Sequence, residues 1–247
     1  MTMEKRYYSI TANTLVAPQV YRLELAAPDA PPFRAGQFVE VAVPGKYLRR
    51  PISVSFSDKG RLILLYKVVG EGTRALASLP VGAELELLTS LGNGFDLDAC
   101  RENALLIGGG IGVAPLHQLC RDLRASGRKV TALLGFNTAS DILLRPELEE
   151  LGATVHIATL DGSAGIAGLV TDALQQIQPV FDAFYVCGPM PMMRALYPLL
   201  PDGGEFSLEE RMGCGTGLCF GCTVQTTDGP RRICHDGPVF PKNQLPW

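Results

Sequence analysis

Four cysteines near the carboxyl end, Cys214, Cys219, Cys222 and Cys234, follow the spacing C-x4-C-x2-C-x11-C. The first three fall within RMGCGTGLCFGC, Arg211 to Cys222, interleaved with Gly213, Gly215, Gly217 and Gly221. These gaps match the plant-type ligand run of a 2Fe-2S cluster, in which a tight loop supplies three thiolates and a more distant cysteine closes the site. Glycine suits such a loop because it accepts positive φ and lets backbone N–H groups approach sulfur. A structural zinc site also takes four thiolates, usually as two C-x2-C knuckles, and only one is present here. The spacing favours the cluster, with zinc as the alternative. Of the remaining cysteines, Cys100 and Cys120 read as small apolar fillers, and Cys187 belongs to another motif.

A second chemistry is suggested by ALLIGGGIGVAP, where an apolar strand runs into Gly108, Gly109, Gly110 and Gly112 and then into the helical stretch LHQLCRDLRASG. A glycine-rich strand-to-helix turn brings backbone amides and the positive helix end up to a pyrophosphate. The third glycine of the dinucleotide fingerprint is missing, and Pro115 instead fits a first helical turn. Further along, AFYVCGPM places Cys187, Gly188 and Pro189 where another strand leaves the sheet, the edge at which such folds bind ligands. No arginine stands at or beside Asn137, after the second strand, to pair a 2′-phosphate, so NAD is favoured over NADP. A third candidate is LRRPISVSF, in which Arg50, Pro51 and Ser53 interrupt an apolar strand. Arginine forks onto phosphate, and a strand hydroxyl can hydrogen-bond a ring edge; a solvated arginine at a strand end is the plain alternative.

The elements that must hold these residues fall into three stretches. Residues 1–98 alternate short β-like runs, YYSITANTLV, VYRLELAA, QFVEVAVP, PISVSF, RLILLYKVV and AELELLT, with glycine and proline turns. That rhythm predicts a small antiparallel barrel or sandwich with helix only at Thr73 to Leu79. Residues 99–203 carry ALLIGGG, VTALLGF, TVHIATL and AFYVCG, each an apolar strand followed by a helical stretch, which predicts a parallel α/β sheet. From about Gly203 the regular pattern ends, so residues 204–247 are expected to be a small cluster unit, too short to fold without a staple.

Composition narrows the partners. Net charge is −3, with acids and bases scattered, so neither nucleic acid nor a membrane surface is expected to bind. The N-terminus has no apolar signal region, and the longest smooth apolar stretch, Ala104 to Leu116, falls short of the roughly 18 residues a spanning helix needs. A cytoplasmic protein with reduced thiols is expected.

Taken in order, RPIS, GGGIGVAP, CGP and EERMGCGTGLCFGCTVQ resemble the ferredoxin reductase superfamily, and within it the electron transfer subunits of type B dihydroorotate dehydrogenase. The likeness covers essentially the whole chain. It implies FAD on the barrel, with Arg50, Pro51, Ile52 and Ser53 as flavin contacts, followed by Leu65, Tyr66 and Lys67 of LLYKVVGEGT. Gly72 and Thr73 would take the FAD pyrophosphate. Most of the superfamily has an aromatic residue where Ile52 stands, whereas the nearer family shares the RPIS form. The resemblance further implies an FMN-containing dihydroorotate dehydrogenase catalytic subunit as partner, in a heterotetramer of two of each, with electrons passing through the cluster and FAD to NAD+ in pyrimidine biosynthesis. No second catalytic base is apparent, since His117, His156 and His235 sit apart, and His235 is expected beside the cluster rather than as a ligand. Phe240 and Trp247 are candidates for the partner interface or for this chain's own core. Two other readings remain at this stage: a related subunit of an NAD(P)H-ferredoxin oxidoreductase or sulfite reductase, and a zinc-stapled nucleotide sensor without redox work.

Overall fold

The computed structural model describes residues 3–247. Its first part is a closed antiparallel barrel of β1 (Glu4–Ala17), β2 (Val20–Ala26), β3 (Phe38–Val41), β4 (Arg50–Asp58), β5 (Arg61–Lys67) and β6 (Glu84–Leu91), in the order β1-β2-β5-β4-β3-β6. The period-2 pattern explains the inside: along β6, Leu85, Leu87, Thr89 and Leu91 are buried while the residues between them are not. Tyr8, Leu23, Leu25, Val41, Val54 and Leu64 complete the interior. Lys59 and Gly60 join β4 to β5 with φ of 45° and 79°, the twist a two-residue hairpin requires. One helix, α1 (Glu71–Ala77), follows β5 and starts two residues earlier than the sequence predicts.

The chain then winds β7 (Asn103–Gly109), α2 (Ala114–Ala125), β8 (Lys129–Phe136), α3 (Arg145–Glu150), β9 (Thr154–Thr159), β10 (Ile166–Ala167), α4 (Val170–Ile177), β11 (Ala183–Cys187), α5 (Met190–Leu196) and β12 (Gly204–Ser207). A hairpin of β13 (Thr223–Thr226) and β14 (Gly229–Arg232), a turn of helix α6 (Ile233–Asp236) and β15 (Val239–Pro241) close it. The large sheet has seven strands in the order β10-β9-β8-β7-β11-β12-β15, parallel except for β15. Successive strands run from β7 to one side and, from β11, to the other. The switch point therefore lies between β7 and β11, where open α/β sheets leave a crevice at their carboxyl ends.

One expectation is corrected here and one open alternative is resolved. The regular pattern does not end at Gly203: β12 pairs with β11, and β15 returns from the tail to pair with β12. Strands of four and three residues, the first buried throughout, carry no alternation for the sequence to betray. Phe240 is 2% exposed and Trp247 packs edge-on against Phe206 and Tyr197, at 5.4 and 5.7 Å, so both belong to the core beneath the tail. The tail shares that core with the sheet, because Cys222, Ile233 and Cys234 pack into the same cluster as Phe184, Val186 and Phe206. Barrel and sheet share another, where Ala17, Val20 and Leu65 meet Val113 and Leu116.

Candidate functional site

β4 and β5 pair from Asp58–Arg61 back to Val54–Leu64 and no further. Beyond that point the strands part, leaving a slot between Arg50–Ser53 on one side and Leu65–Lys67 on the other. Ile52 is buried, whereas Arg50, Pro51 and Ser53 are half-buried. Leu65 faces the sheet domain, and Tyr66 faces the barrel interior, its ring stacked on Tyr21 at 5.7 Å and its hydroxyl donated to Asn13 Oδ1 at 3.0 Å. What Leu65 and Tyr66 offer the slot is therefore backbone rather than side chain. Arg50 bends back to donate to the Leu48 carbonyl and lies across Gly72, where a Cβ would collide with the guanidinium. Thr73 Oγ1 accepts from Val69 N and Gly70 N at 3.0 and 3.2 Å, fixing the start of α1. A guanidinium over a helix start, beside a slot edged by unpaired backbone, fits a dinucleotide flavin.

The switch point opens into a cavity of about 570 Å³. Gly109, Gly110 and Gly112 line one wall, Gly188, Pro189 and Met192 the other, and Lys67 reaches in from the barrel. The two turns touch, since a Cβ on Gly112 would lie 2.6 Å from Gly188 Cα. Gly108 and Cys187 sit behind this surface: Gly108 is covered by Val113 and Leu116, and the Cys187 thiol is fully buried, which raises its pKa. Asn137 and Asp141 line the cavity at the β8 end. Pro115 stands in the first turn of α2, as its position in the motif suggests. A second cavity of about 580 Å³ at the opposite, amino end of the sheet, lined by Asp96, Arg101, Asp182, Glu205 and Lys242, holds none of the candidate residues.

In the tail, the loop before β13 carries Cys214, Cys219 and Cys222, and the helix α6 sets Cys234 against Cys222. Cys222 and Cys234 sulfurs lie 3.3 Å apart. Backbone N–H groups aim at sulfur throughout: Thr216 and Cys219 at Cys214 (both 3.4 Å), Gly217 at Cys234 (3.1 Å), Gly221 at Cys219 (3.5 Å) and Cys234 at Cys222 (3.4 Å). Gly215 and Gly217 turn the loop with φ of 67° and 83°. Among the described residues, no three His, Cys, Asp or Glu side chains gather around a single ion position. Burial opposes ionisation of Cys214, but the hydrogen bonds from Thr216 and Cys219 outweigh it and lower the thiol to about 6. Burial and the neighbouring Cys222 push Cys234 up to about 12, so loading the centre must displace its proton. Four thiols ringed by N–H donors fit an iron–sulfur cluster. Cys219 is the exposed member, and the apolar Leu218 and Phe220 flanking it are exposed as well.

Several residues of the site are not signalled by its motifs. Glu40 on β3 is 1% exposed with both carboxylate oxygens unpartnered, and it presses so close to Gly215 that a Cβ there would meet Oε1 at 2.5 Å. Burial, only partly offset by the Arg49 guanidinium, raises its pKa to about 7. Since β3 pairs with β4 through Glu40 and Pro51, this carboxyl joins the RPIS strand to the thiol loop. A lone acid in the apolar run FVEV was the only trace of it. Asp141, Met192 and Glu209 in the cavity left none.

A closed six-stranded barrel joined to a parallel sheet with a ligand crevice at its switch point defines the ferredoxin reductase class, here extended by a thiol-rich tail. Comparison with known proteins agrees. The family model for the iron–sulfur cluster binding domain of dihydroorotate dehydrogenase B matches residues 209–246, and that for the oxidoreductase NAD-binding domain matches residues 106–197. The dihydroorotate dehydrogenase B (NAD(+)) electron transfer subunit of Lysinibacillus sphaericus is 42% identical, with 96% of each chain covered. That of Shouchella clausii is 45% identical, with 85% of each covered. Among solved structures, a chain of an NADH-dependent reduced ferredoxin-NADP oxidoreductase superposes with a TM-score of 0.87 at 29% identity, over 97% of this chain and 90% of that one. The cytochrome b5 reductase domain of Ulva prolifera nitrate reductase shares the fold, with a TM-score of 0.63 over 77% of this chain and 89% of that one, at 18% identity. The chain belongs to the family of dihydroorotate dehydrogenase B (NAD(+)) electron transfer subunits.

Proposed function

We propose that this chain takes electrons from an FMN-containing dihydroorotate dehydrogenase catalytic subunit at a 2Fe-2S cluster and delivers them by way of FAD to NAD+, two copies of each subunit forming a cytoplasmic heterotetramer. The observation that carries the reading is the Glu40–Gly215 contact, which sets the thiol loop against β3, the strand paired with the β4 edge of the flavin slot. FAD, when bound, exchanges hydride's two electrons for the single electrons a cluster handles. The rest falls to this chain. Arg50 and the start of α1 neutralise a pyrophosphate, while Pro51, Ile52, Ser53 and the Leu65–Lys67 backbone hold the ring and its side arm. Gly109, Gly110 and Gly112 present amides to the second dinucleotide, and Gly188–Pro189 fixes its nicotinamide end at the sheet edge. Asp141 offers a carboxylate to ribose hydroxyls at the β8 end, where no basic group lines the cavity, which supports NAD over NADP. Cys214, Cys219, Cys222 and Cys234 are the cluster ligands. Residues 1–98 then serve the flavin, 99–203 the nicotinamide nucleotide, and the tail the cluster, with β12 and β15 lent to the sheet.

Among the described residues no helix is long and apolar enough to cross a membrane. Identity of 37–45% with electron transfer subunits of this family, against 29% with the ferredoxin-NADP oxidoreductase chain, supports the dihydroorotate reading over the related alternative. The test is an anaerobic preparation analysed for flavin, iron and sulfide, followed by capture of partners on the tagged chain. Flavin and cluster absorbance with a co-purifying FMN protein that oxidises dihydroorotate is the expected result. Zinc in place of iron, or a different FMN-free partner, overturns it.

A further inference from the structure

The ligand set comes from two separate pieces of chain: the loop of residues 214–222, and the single turn of α6 that carries Cys234. Arg232, the last residue of β14, spans both. Its Nη1 donates to the Gly217 carbonyl at 2.9 Å, while Nε and Nη2 donate to the two carboxylate oxygens of Asp236 at 3.1 and 3.2 Å. The Arg232 N–H also donates to Asp236 at 2.8 Å, closing the turn of α6 on itself. Gly217 is the residue whose own N–H points at the Cys234 sulfur from 3.1 Å. Both polar groups of Gly217 are thereby committed, one to a ligand sulfur and one to the guanidinium that anchors that ligand's helix. The flat face of the same guanidinium lies 5.1 Å from the ring centroid of Phe220, between Cys219 and Cys222.

We infer that Arg232 is a positioning residue for the iron–sulfur centre, tying the three-ligand loop to the fourth-ligand helix and, with Asp236, setting the charge that the cluster experiences. The inference rests on the iron–sulfur reading above. A reduced cluster carries one more negative charge than an oxidised one, so a fixed cation beside it favours reduction and a fixed anion opposes it. The side chains of Arg232 and Asp236 are 26% and 21% exposed, so their charges are only partly screened by water. Removing one member leaves the other without its counter-charge, and the two removals therefore act with opposite sign.

The experiment is an EPR-monitored redox titration, at one fixed pH, of the holoenzyme as wild type, Arg232→Gln and Asp236→Asn. The cluster potential is expected to move to more negative values in R232Q and to more positive values in D236N, and R232Q is expected to bleach faster under a chelator because the loop has lost its tie. A role limited to shape would move both potentials in the same direction or neither, and that result overturns the inference. Should R232Q purify without iron, D236N decides alone: a positive shift sustains the inference and an unmoved potential ends it. A preparation of wild type lacking iron and sulfide would instead defeat the reading on which the inference rests, so the two failures are distinguishable.

Discussion

Cys219 is the exposed member of the four proposed ligands, and its neighbours Leu218 and Phe220 are exposed as well. Replacing its thiolate with a hydroxyl removes the soft donor that iron requires at that corner, while the flavin slot is built entirely from β4, β5 and α1. Cys219→Ser is therefore expected to lose most cluster absorbance and iron yet retain FAD and most NADH oxidation by artificial acceptors; both are read from one spectrum and one steady-state assay. Asp141 allows a second argument. Its Oδ2 accepts from Thr138 N and Oγ1, both at 3.2 Å, which holds the carboxylate at the β8 end of the cavity. A hydrogen bond to a charged group is worth about 1.5–3 kcal/mol, so Asp141→Asn should lower kcat/KM for NAD+ by about tenfold or more, and the lost repulsion should raise that for NADP+. The ratio of the two constants is the measurement.

α2 does more than cover the sheet. Past Ser53, the edge of β4 that faced β3 has no strand partner, and side chains of α2 supply one. Gln118 accepts from Ser57 N at 2.8 Å, Arg121 donates to the Ser57 carbonyl at 2.8 Å, and His117 Nδ1 sits 3.4 Å from Ser55 Oγ with its ring against Phe56. Burial, helped by the charges of Arg22 and Arg121, lowers the His117 pKa from 6.5 to about 4. The unfolded chain binds that proton near pH 6.5 and the folded one only near 4, so stability is lost as pH falls through this window, by at most about 3 kcal/mol. Burial raises Glu40 and Glu205 to about 7, and the sign there is opposite: their contribution is present at low pH and lost as pH rises from 4.5 through 7. Comparing His117→Asn with wild type cancels the carboxyls. Lowering the pH from 7 to 4.5 should therefore lower the urea midpoint less, or raise it more, in the variant than in wild type, and an equal signed change in both would assign the acid sensitivity elsewhere. This helix also shows where sequence reading stops. The barrel strands were legible because alternation survives in β6 and others, such as β3 and β5, are short apolar or β-branched runs cut by glycine and proline turns, and the four thiols were legible because ligand spacing is local. The side chains by which α2 completes β4 were not, because they act across about 60 residues of intervening chain. Nor were β12 and β15, which are too short to show a period, or Glu40, which meets the cluster loop only after folding brings residues 40 and 215 together.

At the scale of the whole chain, the nicotinamide cavity opens at the carboxyl edge of the sheet, none of the four thiols lines it, and Cys219 lies on the surface of the tail. Leu218 and Phe220 are 81% and 64% exposed beside it, and neither contributes to the tail's core, which Phe240, Leu245 and Trp247 already fill. Apolar side chains left in water around an exposed cluster ligand suit a docking contact, where burying one leucine contributes about 1.5–3 kcal/mol. A partner seated there receives the shortest path to the cluster without obstructing the nucleotide. Leu218→Ser is accordingly expected to weaken association with the proposed catalytic subunit by about tenfold or more, with cluster absorbance, flavin content and NADH oxidation by artificial acceptors unchanged. Titrating the variant against the catalytic subunit by sedimentation measures the first, and spectra of the same samples measure the rest. Wild-type affinity in the variant would move the docking face away from Leu218, to another surface such as the barrel, where Tyr47 and Val69 are among the exposed apolar residues.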